Sequence, residues 1–290
     1  MKLNELFAQN RPTLSFEVFP PKNTDAFDSV KQATEEIAML HPHFMSVTYG
    51  AGGGTSQYTV DIAKNILTTT GVTPIAHITC VSSTMEEIDR QLELLKASGI
   101  DNILALRGDI PEDNTDRSKW SFQHASDLIS HIRDRSDFDF CIGGACYPEG
   151  HPESASLEED IDNLKRKADA GCEFLTTQMF FDNRILYDFL DRTQKAGINI
   201  PIVAGIMPVT AGKQINRICA LSGTVLPERF QKIVERFGDD TAAMKQAGIA
   251  YATEQIIDLI AHDFPFIHVY SMNKPDIAKA IQDNLSNIIK

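Results

Sequence analysis

Short runs of apolar and β-branched residues recur along the chain, separated by longer amphipathic stretches. Eight of these runs have the length and composition of buried strands, and they lie near residues 13–19, 43–49, 73–80, 102–108, 139–147, 173–180, 200–206 and 266–272. Between most of them, apolar residues return every three or four positions, which predicts helices. The clearest helix covers 84–98, where Thr84 and Glu87 predict a capping box.

Several predicted helices end in a lysine that is soon followed by a glycine and then by a new strand. The glycines are Gly99, Gly171 and Gly197, and this order is typical of a helix that ends before a strand. Strands that alternate with helices form a parallel sheet covered by helices. Eight such units in 290 residues fit an α/β fold of the closed (β/α)₈ (TIM) barrel type, with a doubly wound open sheet as the alternative. Residues 207–265 carry only helical patterns, so we expect extra helices before the last strand and one catalytic domain over 1–290.

Polar and ionisable residues follow nearly every predicted strand at its carboxyl end. They include Glu17, Thr48, Arg107, Tyr147 and Gln178. In a (β/α)₈ barrel the carboxyl ends of the strands meet at one face, and active sites lie there. The sequence therefore predicts a functional site built from these side chains.

Glu17 is the strongest candidate for chemistry among them. Period-two alternation places it on the face opposite Phe16 and Val18, which directs its carboxyl group into the barrel. Removal from water raises a carboxyl pKa, so we expect Glu17 to hold a proton near neutral pH and to act as a general acid. The alternative is a structural carboxylate paired with a barrel cation such as Arg107.

Two glycine-containing segments also suit a ligand. Residues 105–109 (Ala-Leu-Arg-Gly-Asp) combine a guanidinium fork for phosphate or carboxylate with a glycine that admits a ligand close to the backbone, or they form a structural ion pair at a strand end. Residues 50–55 fail the dinucleotide-binding fingerprint, because Thr55 takes the third glycine position and no acidic ribose partner follows about 20 residues later. We interpret them as a mobile loop that lets a ligand lie close to the backbone.

Aromatic and cationic residues after the fifth strand suit a planar, phosphorylated ligand. Tyr147 and His151 are four residues apart in a loop, where they either stack on a ring or act as a surface plug. Asp160, Asn163 and Lys167 share a helical face. That face suits a pyrophosphate, and its structural alternative is a solvated network of charges.

Composition and charge exclude several other classes of protein. The 27 Lys and Arg against 40 Asp and Glu give a net charge of −13, which disfavours nucleic acid and anionic membranes. The five cysteines form no C-x-x-C pair and the histidines form no H-E-x-x-H, so we expect neither a disulfide framework nor a metal site. No G-x-S-x-G elbow, signal peptide or membrane span is evident, and a cytoplasmic protein is expected.

Taken in order, the motifs closely resemble those of bacterial methylenetetrahydrofolate reductases, and the resemblance covers essentially the whole chain. The motifs are 16–21 (FEVFPP), 46–51 (SVTYGA), 76–80 (AHITC), 105–109 (ALRGD), 147–153 (YPEGHPE), 163–167 (NLKRK), 177–182 (TQMFFD) and 205–208 (GIMP). Each motif is modest alone, whereas the ordered set at matching spacing is highly specific.

The resemblance implies a (β/α)₈ barrel that holds FAD in an elongated cleft at the strand ends. It implies that Glu17 is the general acid and that Asp109 tunes the flavin and touches the pterin. The positions that resemble cofactor contacts are Thr48, His77, Arg107, Gly108, Asp109, His124, Ala125, Tyr147, His151, Asp160, Asn163, Arg166 and Lys167. The positions that resemble substrate contacts are Glu17, Gln178, Gln214 and Lys274. Two positions depart from some relatives: Lys274 replaces an arginine near the folate, and Ile218 replaces a phenylalanine on which both substrates stack.

The implied reaction is the reduction of 5,10-methylenetetrahydrofolate to 5-methyltetrahydrofolate, which supplies methyl groups for methionine synthesis. NAD(P)H, with NADH expected, reduces the flavin and leaves before the folate binds, so ping-pong kinetics are expected. A homo-oligomer is expected, and inhibition by S-adenosylmethionine is not, because the chain ends at 290. The alternatives are another FAD barrel oxidoreductase, similar to proline dehydrogenase, and a non-catalytic barrel that only binds a ligand.

Overall fold

Eight parallel strands form a closed barrel in chain order, in which β1 also pairs with β8. The strands are β1 (Thr13–Val18), β2 (Phe44–Val47), β3 (Thr73–Thr79), β4 (Asn102–Leu106), β5 (Cys141–Cys146), β6 (Phe174–Thr177), β7 (Ile202–Ile206) and β8 (Phe266–Tyr270). This computed structural model describes residues 1–21, 23–49, 56–81, 83–110 and 120–289, without the side chains of residues 56 and 214. The predicted (β/α)₈ barrel is confirmed, and the open sheet is wrong because the strand order closes on itself.

Helices cover the outside of this barrel. Those in the described residues are α1 (Leu3–Phe7), α2 (Phe27–Ala38), α3 (Ser56–Thr70), α4 (Met85–Ala97), α5 (Ala125–Asp134), α6 (Leu157–Asp169), α7 (Asn183–Lys195), α8 (Gly212–Ser222), α9 (Glu228–Phe237), α10 (Thr241–Ala261) and α11 (Pro275–Leu285). Three of them, α8 to α10, lie between β7 and β8, which confirms the extra helices predicted for 207–265. Within the described part of the chain, no helix is both long enough and apolar enough to cross a bilayer.

Helix α1 closes the amino-terminal end of the barrel. The ring of Phe7 lies 6.0 Å from that of Phe44, 5.4 Å from Phe174 and 4.9 Å from Phe266, measured between centroids. A hydrogen bond of 2.8 Å from the helix backbone to the side chain of Asn102 fixes the helix to β4. Because aromatic rings fill this end of the barrel, the space for a ligand lies at the carboxyl ends of the strands.

Strand alternation separates residues that face the helices from residues that face the barrel interior. On β1, Phe16 is fully buried in the layer between strands and helices, whereas Ser15 and Glu17 point inward. Parallel pairing places Ser15 beside His268 of β8 and Glu17 beside Ser46 of β2. The closure of the barrel therefore brings polar residues from the first, second and last strands together.

Candidate active site

A cavity of about 900 Å³ opens at the carboxyl ends of the strands. Seven residues that the sequence predicts for the site line it: Glu17, Thr48, His77, Gly108, Asp109, Tyr147 and Gln178. They come from β1 to β6 or from the residues that directly follow these strands. The strand ends thus surround one cavity, as predicted, while the role of each residue stays a prediction.

Glu17 lies in this cavity between two imidazole rings, with 20% of its side chain exposed. Its Oε2 atom accepts a hydrogen bond of 3.3 Å from Ser46 Oγ. The same oxygen lies 3.6 Å from Nε2 of His77 and 3.8 Å from Nε2 of His268. The alternative pairing with Arg107 is not formed, because that guanidinium group binds another carboxylate. Glu17 is therefore held by one hydrogen bond and flanked by two imidazole rings.

The predicted rise in the pKa of Glu17 is wrong for this arrangement. Burial raises this pKa, but the neighbouring imidazole rings of His268 and His77 and the hydrogen bond from Ser46 lower it, and the net result is a pKa below the usual value. Removal from water alone would raise the pKa, whereas the two histidines reach Glu17 only in the folded barrel. Glu17 is thus ionised at neutral pH in this arrangement, so a proton that it donates must be supplied by a partner.

His77 offers a polar atom with no partner beside Glu17. Its side chain is 6% exposed, and its Nε2 atom makes no hydrogen bond to any described residue. Burial lowers the pKa of His77 to about 4, although the charge of Glu17 acts in the opposite direction. A buried polar atom without a partner is costly. A neutral imidazole whose ring nitrogen meets the cavity is therefore suited to a polar atom of a ligand.

The segment after β4 combines a glycine with a fixed cation. Gly108 has a φ angle of +90°, and a Cβ atom there would lie 2.8 Å from Cγ1 of Val81. The guanidinium group of Arg107 forms two hydrogen bonds of 2.7 Å with Glu153, and this pair raises the pKa of Arg107. Arg107 lies beside the cavity lining, whereas Asp109 is exposed in it. The structural alternative for Arg107, an ion pair, is present.

The loop after β5 presents an oriented aromatic ring to the cavity. Tyr147 lines the cavity, and His151 packs edge-on against it with 4.6 Å between ring centroids. Burial raises the pKa of Tyr147 to about 12, so its hydroxyl group stays protonated. His151 is not part of the lining and instead contacts the tyrosine ring from behind.

The predicted cationic face of α6 lies beyond the cavity lining, with one connection to it. Nζ of Lys167 donates a hydrogen bond of 2.5 Å to the carbonyl of Ala145, which lines the cavity. Burial lowers the pKa of this lysine. Asp160 accepts a hydrogen bond from the preceding loop, while Asn163 and Arg166 are exposed. Lys167 therefore reaches furthest from this face toward the cavity.

The remaining predicted positions lie at the edges of the site or outside the residues that the structure describes. His124 is exposed just before α5 and Ala125 is buried at its start, and neither lines the cavity. Lys274 precedes α11 and donates a hydrogen bond of 3.0 Å to a neighbouring threonine. The side chain of Gln214 and residues 50–55 lie outside the described residues. No group of three His, Cys, Asp or Glu in the described ranges is arranged to hold a metal ion.

Sequence reasoning missed several polar residues of the barrel interior. They include Ser15, Ser46, His268 and Tyr270, and His268 forms hydrogen bonds with both serines. Tyr270 donates to the carbonyl of Thr177. One signal was present: these residues occupy inward positions of strands, where a polar side chain is costly unless it has a partner.

An apolar wall at the cavity mouth was also missed, except for one residue. It consists of Met207, Ile218, Leu221 and Met272. Leu221 is 73% exposed and Met272 is 44% exposed, which is unusual for such side chains beside a pocket. Exposed apolar groups that border a cavity suit contact with a flat ligand.

Fold and site together define a (β/α)₈ barrel protein whose polar cavity holds a carboxylate between imidazole rings. The family model for methylenetetrahydrofolate reductase matches residues 2–286, so the chain belongs to that family. It is 34% identical to 5,10-methylenetetrahydrofolate reductase of Escherichia coli over 281 residues, 96% of this chain and 93% of that protein. It is 35% identical to methylenetetrahydrofolate reductase (NADH) 1 of Arabidopsis thaliana over 298 residues, 99% of this chain and 50% of that protein. The chain thus spans about half the length of the plant relatives it matches.

Solved structures support the fold at lower sequence identity. An uncharacterized protein from Clostridium thermocellum that binds two copies of 5-methyl-5,6,7,8-tetrahydrofolic acid matches with a TM-score of 0.66 and 16% identity, and the match covers 99% of each chain. Oxaloacetate acetylhydrolase matches with a TM-score of 0.55 and 14% identity over 99% of this chain and 85% of that one. At these identities the likeness concerns the barrel fold alone.

Proposed function

We propose that this chain reduces 5,10-methylenetetrahydrofolate to 5-methyltetrahydrofolate with a reduced nicotinamide and with FAD as cofactor. The observation that carries the proposal is the inward carboxylate of Glu17 in a cavity of about 900 Å³, in a chain of this family. Opening the five-membered ring of the folate makes N10 a leaving group that must gain a proton. A side chain that can exchange protons in the cavity meets this requirement.

The residues present fit a flavin. The cavity volume lies at the upper end of the range of about 300–1,000 Å³ that is usual for small-molecule sites. His77 offers a buried nitrogen without a partner, Gly108 lines the cavity with its backbone, and Tyr147 offers an aromatic ring. Arg107, which is paired with Glu153, and Lys167, which bonds the carbonyl of Ala145, are basic side chains beside the cavity that would suit a pyrophosphate if they exchanged these partners for it. We assign cofactor binding to these five residues together with Thr48, Asp109, His124, Ala125, His151, Asp160, Asn163 and Arg166. When bound, FAD supplies the hydride chemistry that links the two substrates.

In this proposal Glu17 donates a proton to N10 of the folate as the ring opens. The open form has an iminium carbon, which is the carbon that accepts hydride and becomes the methyl group. A folate in the cavity would remove water from the exposed fifth of the Glu17 side chain. This desolvation raises a carboxyl pKa and therefore favours the protonated form when the substrate is bound.

Other lining residues position the two substrates. Gln178 lines the cavity, and its Oε1 atom accepts a hydrogen bond of 2.9 Å from the following backbone N–H, which orients the amide. We assign Gln178, Gln214 and Lys274 to folate contacts, and Asp109 to the pterin. The apolar wall that includes Ile218 is suited to the nicotinamide and the folate in turn, which gives ping-pong kinetics.

We further propose NADH as the reductant, in line with the name of the plant relative. The product methyl group would enter one-carbon metabolism and methionine synthesis in the cytoplasm. We propose one catalytic domain over 1–290 and a homo-oligomeric enzyme.

The visible spectrum of the purified chain, reconstituted with FAD, tests the proposal. NADH should bleach the flavin absorbance, and methylenetetrahydrofolate should restore it with formation of 5-methyltetrahydrofolate, identified by mass spectrometry. A proline-dehydrogenase-like enzyme would be bleached by proline and not by NADH. A non-catalytic barrel would show no turnover, and it would keep no flavin colour once the free FAD is removed. Either of these results contradicts the proposed function.

A further inference from the structure

His268 lies inside the barrel wall with hydrogen bonds at both ring nitrogens. Its side chain is 2% exposed. Nδ1 lies 2.8 Å from Ser15 Oγ, and Nε2 lies 2.9 Å from Ser46 Oγ. Ser46 Oγ is in turn 3.3 Å from Oε2 of Glu17. A continuous chain of hydrogen bonds therefore joins Ser15, His268, Ser46 and Glu17.

The protons in this chain can be assigned from the bonds that Ser15 makes. A serine hydroxyl has one hydrogen to donate. Ser15 donates it to the backbone carbonyl of Ile267 at 2.9 Å. Toward His268 the Ser15 oxygen must therefore accept, so Nδ1 of His268 carries a hydrogen. Nε2, which faces Ser46 and Glu17, is then the nitrogen that gains or loses a proton.

Ser46 couples the protonation of His268 to that of Glu17. If Nε2 is unprotonated, the hydroxyl of Ser46 donates its hydrogen bond to this nitrogen and cannot also donate one to Glu17. If Nε2 is protonated, it donates to Ser46, and the hydroxyl turns to the ionised carboxylate. The two arrangements hold the same number of protons: a neutral imidazole with a protonated Glu17, or an imidazolium with an ionised Glu17.

Within the described part of the chain, His77 and Tyr270 also lie near Glu17, and neither competes for this proton near neutral pH. His77 of β3 has its pKa lowered to about 4 by burial. Tyr270 of β8 has its pKa raised well above the usual value by burial, and it donates to a backbone carbonyl. The shared proton therefore belongs to Glu17 and His268.

We propose that His268 is a positioning residue that stores the proton which Glu17 delivers to the folate. This inference rests on the proposed folate reduction. Delivery breaks the N–H bond at Nε2 and forms an O–H bond on Ser46, whose own hydrogen passes to Glu17 and then to N10 of the folate. The hydride comes from the reduced cofactor, and the network regains one proton from solvent before the next turnover.

The first test measures protonation without any turnover. In protein labelled with ¹⁵N-histidine, the ring-nitrogen shifts of His268, assigned by their loss in His268→Asn, should show Nδ1 protonated throughout and Nε2 titrating. In Glu17→Gln the Nε2 signal at neutral pH should move toward that of an unprotonated nitrogen, because the negative charge 3.8 Å away is removed. An Nε2 signal that is unchanged in Glu17→Gln, or an unprotonated Nδ1, overturns the proposal.

The second test separates the two half-reactions by stopped-flow spectroscopy. His268→Asn, His268→Gln and Ser46→Ala should each leave flavin reduction by NADH within about twofold, because general acid catalysis contributes only to the folate step. They should slow flavin reoxidation by the folate and shift its pH profile to lower pH. Ser46→Thr keeps a hydroxyl and should restore most of the rate.

His43→Asn is the matched control, because His43 is a half-buried histidine outside the cavity lining whose Nδ1 contact asparagine can imitate. If the His268 and Ser46 variants fold but keep the folate step and its pH profile, the proposal is wrong while the proposed function stands. If the unmodified protein fails both half-reactions, the proposed function is wrong. The ¹⁵N titration still decides whether His268 and Glu17 share a proton.

Discussion

Replacing Glu17 with glutamine removes the proposed proton donor while it keeps the shape of the side chain. Glutamine retains an oxygen that can accept the hydrogen bond from Ser46, which is 3.3 Å long in this structure. It removes the negative charge that lies 3.6 Å from His77 and 3.8 Å from His268. The cavity volume and the cofactor contacts should therefore change little, and the defect should be confined to proton transfer.

The expected magnitude follows from what the side chain does in each half-reaction. A positioned general acid contributes about 10²- to 10⁴-fold, which corresponds to about 3–5 kcal/mol of barrier. Flavin reduction by NADH needs no proton from Glu17, so its rate should stay within about twofold of the unmodified protein. Reoxidation by methylenetetrahydrofolate should fall by about 10²-fold or more.

Single-turnover stopped-flow spectroscopy measures the two steps separately, with the flavin absorbance as the signal. Glu93→Gln on the exposed face of α4 is a matched control for the same chemical change. If Glu17→Gln slowed both half-reactions equally, the carboxylate would be a structural element of the cavity and the acid assignment would be wrong.

Two further predictions concern stability. Phe7→Ala should lower the free energy of unfolding by about 3–5 kcal/mol, because Phe7 is 3% exposed and lies among three phenylalanine rings. Urea unfolding measures this loss, and an unchanged midpoint would show that Phe7 does not stabilise the closed end of the barrel. Burial lowers the pKa of His77 from 6.5 to about 4. Between pH 6.5 and pH 4, the unfolded chain therefore binds a proton at His77 and the folded chain does not. The contribution of this difference to the free energy of unfolding is complete above pH 6.5, and up to about 3 kcal/mol is lost as the pH drops to 4. Unfolding curves at several pH values should show this loss, and His77→Asn should reduce its slope; an equal slope in the variant would refute the assignment.

The sequence predicts the barrel well because each unit is encoded locally. Apolar runs mark all eight strands within a few residues of their observed bounds. Gly99, Gly171 and Gly197 have the positive φ angles expected at helix ends, and Thr84 and Glu87 form the predicted capping box. Helix periodicity, caps and strand alternation depend on neighbours within a few positions, so no tertiary information is needed to find them.

The candidate site was predicted less well because its contacts are distant in sequence. His268 meets Glu17 only after β8 closes on β1, and Arg107 meets Glu153 only after β5 is in place. The predicted direction of the Glu17 pKa shift was wrong for the same reason, since its histidine neighbours lie 60 and 251 positions away in the chain. The alternation of residues along β1 predicted that the Glu17 side chain points inward. Its partners depend on the order and register of the strands, which the sequence pattern does not contain.

The closure between β1 and β8 explains how the carboxylate is held in place. Beyond the ladder of these strands, Ser271 Oγ donates a hydrogen bond of 2.7 Å to the carbonyl of Glu17. Asn273 continues the pairing with two side-chain hydrogen bonds of 2.9 Å to the backbone of Phe19, one donated and one accepted. The backbone of Glu17 and of Phe19 is therefore fixed by the segment that follows β8, and His268 of β8 belongs to the hydrogen-bond network that ends at the carboxylate. His268 belongs to β8, and both backbone anchors directly follow this strand. The distance between the proposed proton store and the proposed donor is therefore set by the register of β1 and β8, rather than by the surface loops around the cavity.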